Sequence, residues 1–219
     1  MRPLSEALAE AGFAVEMPRL PGHGTAPEDL AETGWDDWLG EAERALRALQ
    51  VRTPDGKVVV AGLSMGGALT LALAEAHPEL AGIVLINAPV AAPPELAESI
   101  EAMLAGGVDV IESIGGDIAD PEANEESYNT TPLRPLLTML QAGAAVRDAL
   151  PQINQPALII TSRQDHVVTP TDSDVLAEQI SGPVERLWLE KSFHVATLDY
   201  DSAELEQRAV AFAQRVTGP

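Results

Sequence analysis

Apolar residues along this chain keep changing their period. Leu4, Leu8 and Ala11 recur at helical spacing, Gly12 closes that helix, and "FAVEMPRL" (13–20) reads as a short strand. The turn-rich "PGHGTAPEDL" then leads to a second helix opening near Trp35. Its apolar face carries Trp38, Ala42, Ala45, Leu46 and Leu49, and Thr33 with Asp36 has the spacing of a capping box. "KVVVAGL" is a continuous apolar run of the kind buried on both faces of a sheet. A helix rich in Ala and Leu follows it and ends at His77-Pro78. "GIVLINA", "ALIITS" and "VERLWLE" are further strands, and "DSAELEQRAVAFAQRV" is the closing helix. Alternation of this kind predicts an α/β fold, a mostly parallel sheet with helices on both faces.

One segment breaks the rhythm. Between Pro89 and Pro156 the pattern predicts no strand, and the interval far exceeds an ordinary connection. It holds prolines, the pairs Gly106-Gly107 and Gly115-Gly116, and the acidic "DPEANEESY". Its strongest element begins at Thr131-Pro132, an N-cap followed by proline at the first helical position. There Leu133, Leu136, Leu137, Leu140 and Ala144 share one stripe. The segment reads as a helical insertion.

Composition narrows the function. At 219 residues the chain suits one domain with an insertion, and 46% hydrophobic residues can fill its core. Asp and Glu number 34 against 13 Lys and Arg, a formal charge of −21 that repels phosphate backbones, so no nucleic-acid partner is expected. With no cysteine there is no disulfide, thiolate metal site or cysteine nucleophile. No apolar run approaches the ~20 residues of a membrane span, and "MRPLSEALAEAGF" does not read as a secretory signal. The expectation is a cytoplasmic protein without stable membrane association.

Candidate chemistry centres on Gly62-Leu63-Ser64-Met65-Gly66, a G-x-S-x-G pattern between a strand and a helix. A serine on so tight a turn has a strained backbone and a hydroxyl projecting clear of the sheet edge. Side chains two residues before and after it would collide, hence the glycines. The helix behind it aims N–H groups at any negative charge developing there. A serine hydroxyl is a weak nucleophile and needs a base, usually a histidine held by a carboxylate. Of the four histidines, His23 sits in "LPGHG", where a backbone hydrogen bond is the ordinary role. His77 ends a helix, and His166 directly follows an attractive aspartate. His194, in "EKSFHVATLD", comes just past the last strand and so at the same sheet edge as Ser64; it is the best base. Asp165 lies on the loop after the preceding strand, at that edge again. Asp199 is the rival acid, but it sits close to the start of the last helix. The histidines are scattered and lack ligand spacing, so neither metal nor cofactor is expected.

The order serine, acid, histidine resembles the α/β-hydrolases, and more narrowly the small bacterial carboxylesterases and monoacylglycerol-lipase-like enzymes. The likeness runs nearly end to end through "LPGHG", "TGWDDW", "VAGLSMGG", "SRQDHVVTP" and "SFHVATLD". It implies an α/β-hydrolase core over 1–90 and 152–219 and a small helical cap over 91–151. It implies Ser64 as nucleophile, His194 as base, Asp165 as orienting acid and the Met65 backbone N–H as an oxyanion donor. The Leu and Met stripe of the cap would line an acyl pocket or simply pack a core. The expected activity is cofactor-free hydrolysis of small to medium carboxylic esters. An aspartate at position 64 would have suggested a dehalogenase; a C–C bond hydrolase with the same triad and a non-catalytic protein retaining the fold are the alternatives.

The resemblance also sets an expectation about the start of the chain. Family members carry, before the helix seen here at residue 4, a strand ending in His-Gly whose following loop supplies a second oxyanion donor. That strand lies between "FAVEM" and "KVVVAGL", and about twenty to thirty further upstream residues are expected to provide it. Failing that, "FAVEM" would move sideways to pair directly with "KVVVAGL".

Overall fold

Strands β2 (Gly82–Ile86) and β5 (Ala157–Ser162) are buried along their whole length and form the middle of the main sheet. The computed structural model describes residues 1–90, 92–113 and 115–218, and β1 (Val59–Leu63) and β6 (Val184–Leu189) flank these two in the order β1-β2-β5-β6, all parallel. Period-2 alternation sends Ile83, Leu85 and Ile159 into one core, with Trp35, Trp38 and Leu71. Val84, Ile86, Leu158 and Ile160 enter the other, with Leu4, Leu205 and Phe212. Each such side chain contributes about 1.5–3 kcal/mol by leaving water. Helices α3 (Trp35–Arg52) and α4 (Met65–Ala76) cover the first face, and α1 (Arg2–Glu10) with α8 (Ser202–Thr217) covers the second. The register is level: Leu63 lies beside Ile86, Ile86 beside Ile160, and Ser162 beside Leu189. The loops after β1, β2, β5 and β6 therefore emerge together at one edge.

The structure departs from the sequence pattern in several places. Residues 13–20 form no strand, and no ladder joins Val15 to Val59. Phe13 and Val15 are half-buried while Ala14 and Glu16 are exposed, so the alternation survives without hydrogen-bonded pairing. A strand needs a neighbour. Here the segment is held instead by Arg52, whose guanidinium bonds the Glu16 carboxylate at 2.7 Å and the Val15 carbonyl at 3.3 Å. Between the segment and β1 lies a cleft of about 1210 Å³ that runs the length of β1, from Lys57 to Ser64. Among the described residues β1 pairs with β2 alone.

The insertion is not purely helical. Helix α5 (Pro94–Ala105) is followed by a short antiparallel ladder of β3 (Val110–Glu112) and β4 (Thr130–Pro132), then by α6 (Leu133–Ala149). Thr131 pairs with Ile111 inside this ladder and does not cap α6, whose first N–H, from Leu133, goes to the Asp109 carbonyl. Of the anticipated stripe Leu133 is buried, but Ala144 is exposed; the residues that meet the main core are Met139, Ala142, Val146 and Leu150. The helix is rotated so that its C-terminal half serves as core. At α3 the capping carboxylate is Asp37, on the Gly34 N–H at 3.0 Å, because Thr33 turns its hydroxyl back to the Leu30 carbonyl. The boundary residue Ala91 of the expected cap lies outside the described residues. Helix α2 (Pro27–Ala31) and helix α7 (Asp172–Gln179) complete the fold.

Candidate active site

Ser64 stands between β1 and α4 with φ 54° and ψ −123°, in the left-handed half of the map that a residue with a side chain rarely occupies. Such a backbone costs on the order of 1–3 kcal/mol and persists only where its surroundings hold it. They do: its N–H donates to the Ile86 carbonyl at 2.9 Å, and its carbonyl accepts from Gly67 and Ala68 at 2.7 and 3.3 Å. A Cβ on Gly62 would lie 2.0 Å from the Gly66 carbonyl oxygen, so that glycine is a steric requirement of the turn. Gly66 differs from the expectation. A Cβ there would meet nothing within 4 Å, whereas one on Gly67 would come within 2.4 Å of the Ala88 Cβ. The second steric glycine is therefore Gly67, where α4 crosses the end of β2. Met65 opens α4, and the first-turn N–H groups of a helix have no acceptor within it.

At the same edge, the loops after β5 and β6 bring Asp165 and His194 together: Asp165 Oδ2 lies 2.8 Å from His194 Nδ1. The side chains are 1% and 7% exposed. Asp165 Oδ1 accepts the N–H groups of Val167 and Val168, each at 2.8 Å, so both oxygens are committed and the carboxylate is fixed. An ionised partner there places the imidazole proton on Nδ1 and leaves Nε2 a lone pair, the arrangement a base requires.

The remaining histidines are occupied elsewhere. His23 Nδ1 lies 3.1 Å from the Pro21 carbonyl and its ring stands edge-on to Trp38. His77 is bracketed by Glu43 and Glu79 at 2.6 and 3.0 Å. Burial works to lower its pKa, but the bonds to Glu43 and Glu79 outweigh it and the value is raised. His166 is exposed and pairs with Asp117 of the insertion, Nδ1 to Oδ1, at 2.8 Å. Asp199 does not reach His194. Its buried carboxylate accepts the N–H groups of Ala119, Asp120, Phe193 and Tyr200 at 2.8–3.1 Å. Among the described residues no cluster of three or more His, Asp or Glu side chains could hold a metal ion, and no helix is long and apolar enough to cross a membrane.

The chain as a whole has counterparts among known proteins. Residues 1–208 match the model of the alpha/beta hydrolase family. This chain belongs to that family. The hydrolase is 41% identical over 222 residues to the thermostable monoacylglycerol lipase of Bacillus sp. (strain H-257), covering 100% of this chain and 86% of that one. It is 28% identical over 221 residues to the carboxylesterase of Bacillus subtilis (strain 168), covering 99% and 87%. Among solved structures, one described with the metagenome-derived lipolytic enzymes LipS and LipT superposes with a TM-score of 0.90 at 39% identity, covering 98% of this chain and 87% of that one. The monoacylglycerol lipase of Paleococcus ferrophilus, at 18% identity and a TM-score of 0.78 over 97% and 88% of the two chains, shares the fold.

The same edge holds hydrogen-bonded residues that the sequence pattern did not single out. Asn87, with φ 45°, follows β2; its amide donates to the His194 carbonyl at 2.7 Å and to Ser162 Oγ at 3.1 Å, and its oxygen accepts the Ser162 N–H at 2.8 Å. Ser162 Oγ in turn donates to the Phe193 carbonyl at 2.7 Å. A polar residue at the last position of each apolar run, "GIVLIN" and "ALIITS", was the available signal. Asp117 is held below the ordinary carboxylate range: burial opposes its ionisation, but hydrogen bonds from the His166 ring and the N–H groups of His166 and His194 outweigh it. Nothing local in "GGDIADPE" distinguishes Asp117 from its acidic neighbours.

Proposed function

We propose that this hydrolase cleaves carboxylic esters of small to medium acyl chains through an acyl-enzyme on Ser64. The observation that carries the reading is the strained Ser64 at the edge where Asp165 and His194 are hydrogen-bonded and buried. Ser64 Oγ attacks the ester carbonyl while His194 Nε2 takes its proton. The imidazolium, steadied by Asp165, returns that proton to the departing alcohol. Water then enters by the reverse roles and frees the acid. The Met65 N–H faces the developing oxyanion, a kind of contact whose loss typically costs about 10²–10³ in rate. Relatives named monoacylglycerol lipase and carboxylesterase support the ester class. The formal charge of −21 disfavours anionic lipid interfaces, which supports dispersed substrates over emulsified triglyceride. Residues 91–151 serve as the cap. Two ties support this: the Tyr128 hydroxyl donates to the Gly22 carbonyl at 2.8 Å, and Asp117 holds the His194 loop.

The test uses an activated short-chain ester and a fluorophosphonate probe. The parent is expected to be labelled, and Ser64→Ala to be unlabelled, folded, and slower by about 10⁴ or more. Comparable turnover in the two would refute the reading. An acyl series should peak at short to medium length; a steady rise to long chains with activation at emulsion surfaces would overturn the substrate class.

A further inference from the structure

The acid and the base sit on different loops, and one residue of the insertion is bonded to both. Asp117 Oδ2 accepts the His194 N–H at 3.1 Å and the His166 N–H, next to Asp165, at 3.2 Å. Its Oδ1 meets the His166 ring at 2.8 Å, and its backbone carbonyl accepts the Val195 N–H at 3.0 Å. The His166 ring stands edge-on against Phe193 at 4.5 Å, closing the gap between the loops. Gly116, with φ 81°, supplies the turn that delivers the carboxylate, and Asp199 anchors the next residues through the Ala119 and Asp120 N–H groups. A carboxylate oxygen shared by two N–H groups, each adjoining or belonging to one member of the pair, fixes their separation.

We propose that Asp117 is a positioning residue: it clamps the Asp165 and His194 loops together, so that docking of the insertion sets the geometry of the acid–base pair. This rests on the triad reading above. Asp117 touches neither the reacting atoms nor the hydroxyl of Ser64 in any bond the structure contains, so its removal acts on turnover and not on substrate affinity. A displacement of about 1 Å in a catalytic group can cost about 10²-fold. Asp117→Ala is therefore expected to lower kcat by about 10–100-fold with KM held within about twofold. Asp117→Asn keeps an oxygen for the two N–H groups but loses the charge. It should lose less than Asp117→Ala, about three- to tenfold below the parent. His166→Ala, which leaves both N–H bonds in place, should fall less than Asp117→Ala. The downfield proton resonance of an imidazole bound to a carboxylate should broaden as turnover falls across the variants, because a looser pair exposes that proton to exchange.

A kcat equal to the parent's in Asp117→Asn and Asp117→Ala overturns the proposal, as does a rise in KM at constant kcat. If Asp117→Ala does not fold, Asp117→Asn and the proton resonance decide. Failure of the triad reading is distinguishable, because active Ser64→Ala would refute that reading whatever the Asp117 variants do.

Discussion

On the β2 side of β1, the turn at Ser64 runs into a closed hydrogen-bonded set. Ser64 leans on Ile86, Asn87 ties β2 to Ser162 and to the His194 carbonyl, and Asp165, Asp117 and Asp199 take up the N–H groups of the facing loops. On the other side, the same strand borders a cleft of about 1210 Å³ lined by Leu20, His23 and Gly24 at its upper end. One flank is fixed by satisfied polar groups, each costly to leave unpaired in a dry interior. The other is a strand edge without a ladder among the described residues, facing a cleft lined by both apolar and charged side chains, Glu16, Arg19 and Lys57 among them. The Asp165–His194 pair occupies the closed flank.

The strongest way to break this comparison is at the acid. Asp165→Asn should lower kcat by about 10⁴ through the wrong imidazole tautomer, with the fold intact. Asp199→Asn should instead cost about 1–3 kcal/mol of stability, because an amide cannot accept all four N–H groups that the carboxylate now takes. Rate assays and thermal melts on the two variants check this. A larger rate loss in Asp199→Asn would exchange their roles.

A smaller effect separates the flanks sterically. Gly62→Ala drives a methyl into the backbone of Gly66 and should cost about 3 kcal/mol or more, read by denaturant midpoint. Gly66→Ala points into the open cleft, meets nothing within 4 Å and should change stability by less than about 1 kcal/mol. Equal destabilisation would mean that the cleft side of the turn is as tightly built as the strand side.

Legibility followed the same division. The parallel sheet was readable because β2 and β5 are buried runs too short and β-branched for helices. That Ser64, Asp165 and His194 would share an edge was readable because each follows a strand, and parallel strands put all three sequels at one edge. Residues 13–20 misled the reading: alternation describes a half-buried extended chain, but a strand also needs a partner, and the pattern within one segment carries no information about its neighbours. The β3–β4 ladder escaped notice because three-residue strands give almost no period. Asp117 and Asn87 were missed for a related reason, and Asp199 entered only as a rival acid and not as a loop anchor. Most of their partners are backbone N–H and carbonyl groups, which every residue has, so beyond the polar end of "GIVLIN" the sequence holds little matching chemical signal.

The smallest predicted effects are electrostatic, and they have opposite signs at the two ends of the molecule. On the closed flank the Asp117 carboxyl is held below its ordinary value, so its ionised form is bound more tightly in the folded state. Its stabilisation is complete above about pH 4, the ordinary range of an aspartate, and is lost as pH falls through the lower folded value. His77, at the far end of α4, carries a raised value. Its contribution is complete below about pH 6.5 and is lost as pH rises through the folded value, provided that Glu43 and Glu79 remain ionised. Both glutamates are themselves held low, Glu43 chiefly by its hydrogen bond to His77 and Glu79 chiefly by a backbone hydrogen bond, which extends that window toward acid. Melting temperatures of the parent, Asp117→Asn and His77→Gln across pH 3 to 9 separate the two. The Asp117→Asn gap should stay level from neutral pH down to about pH 4 and then close, while the His77→Gln gap should be widest near pH 5–6 and shrink toward alkaline pH. If the Asp117→Asn gap closes toward alkaline pH instead, the carboxylate is not what holds the closed flank together.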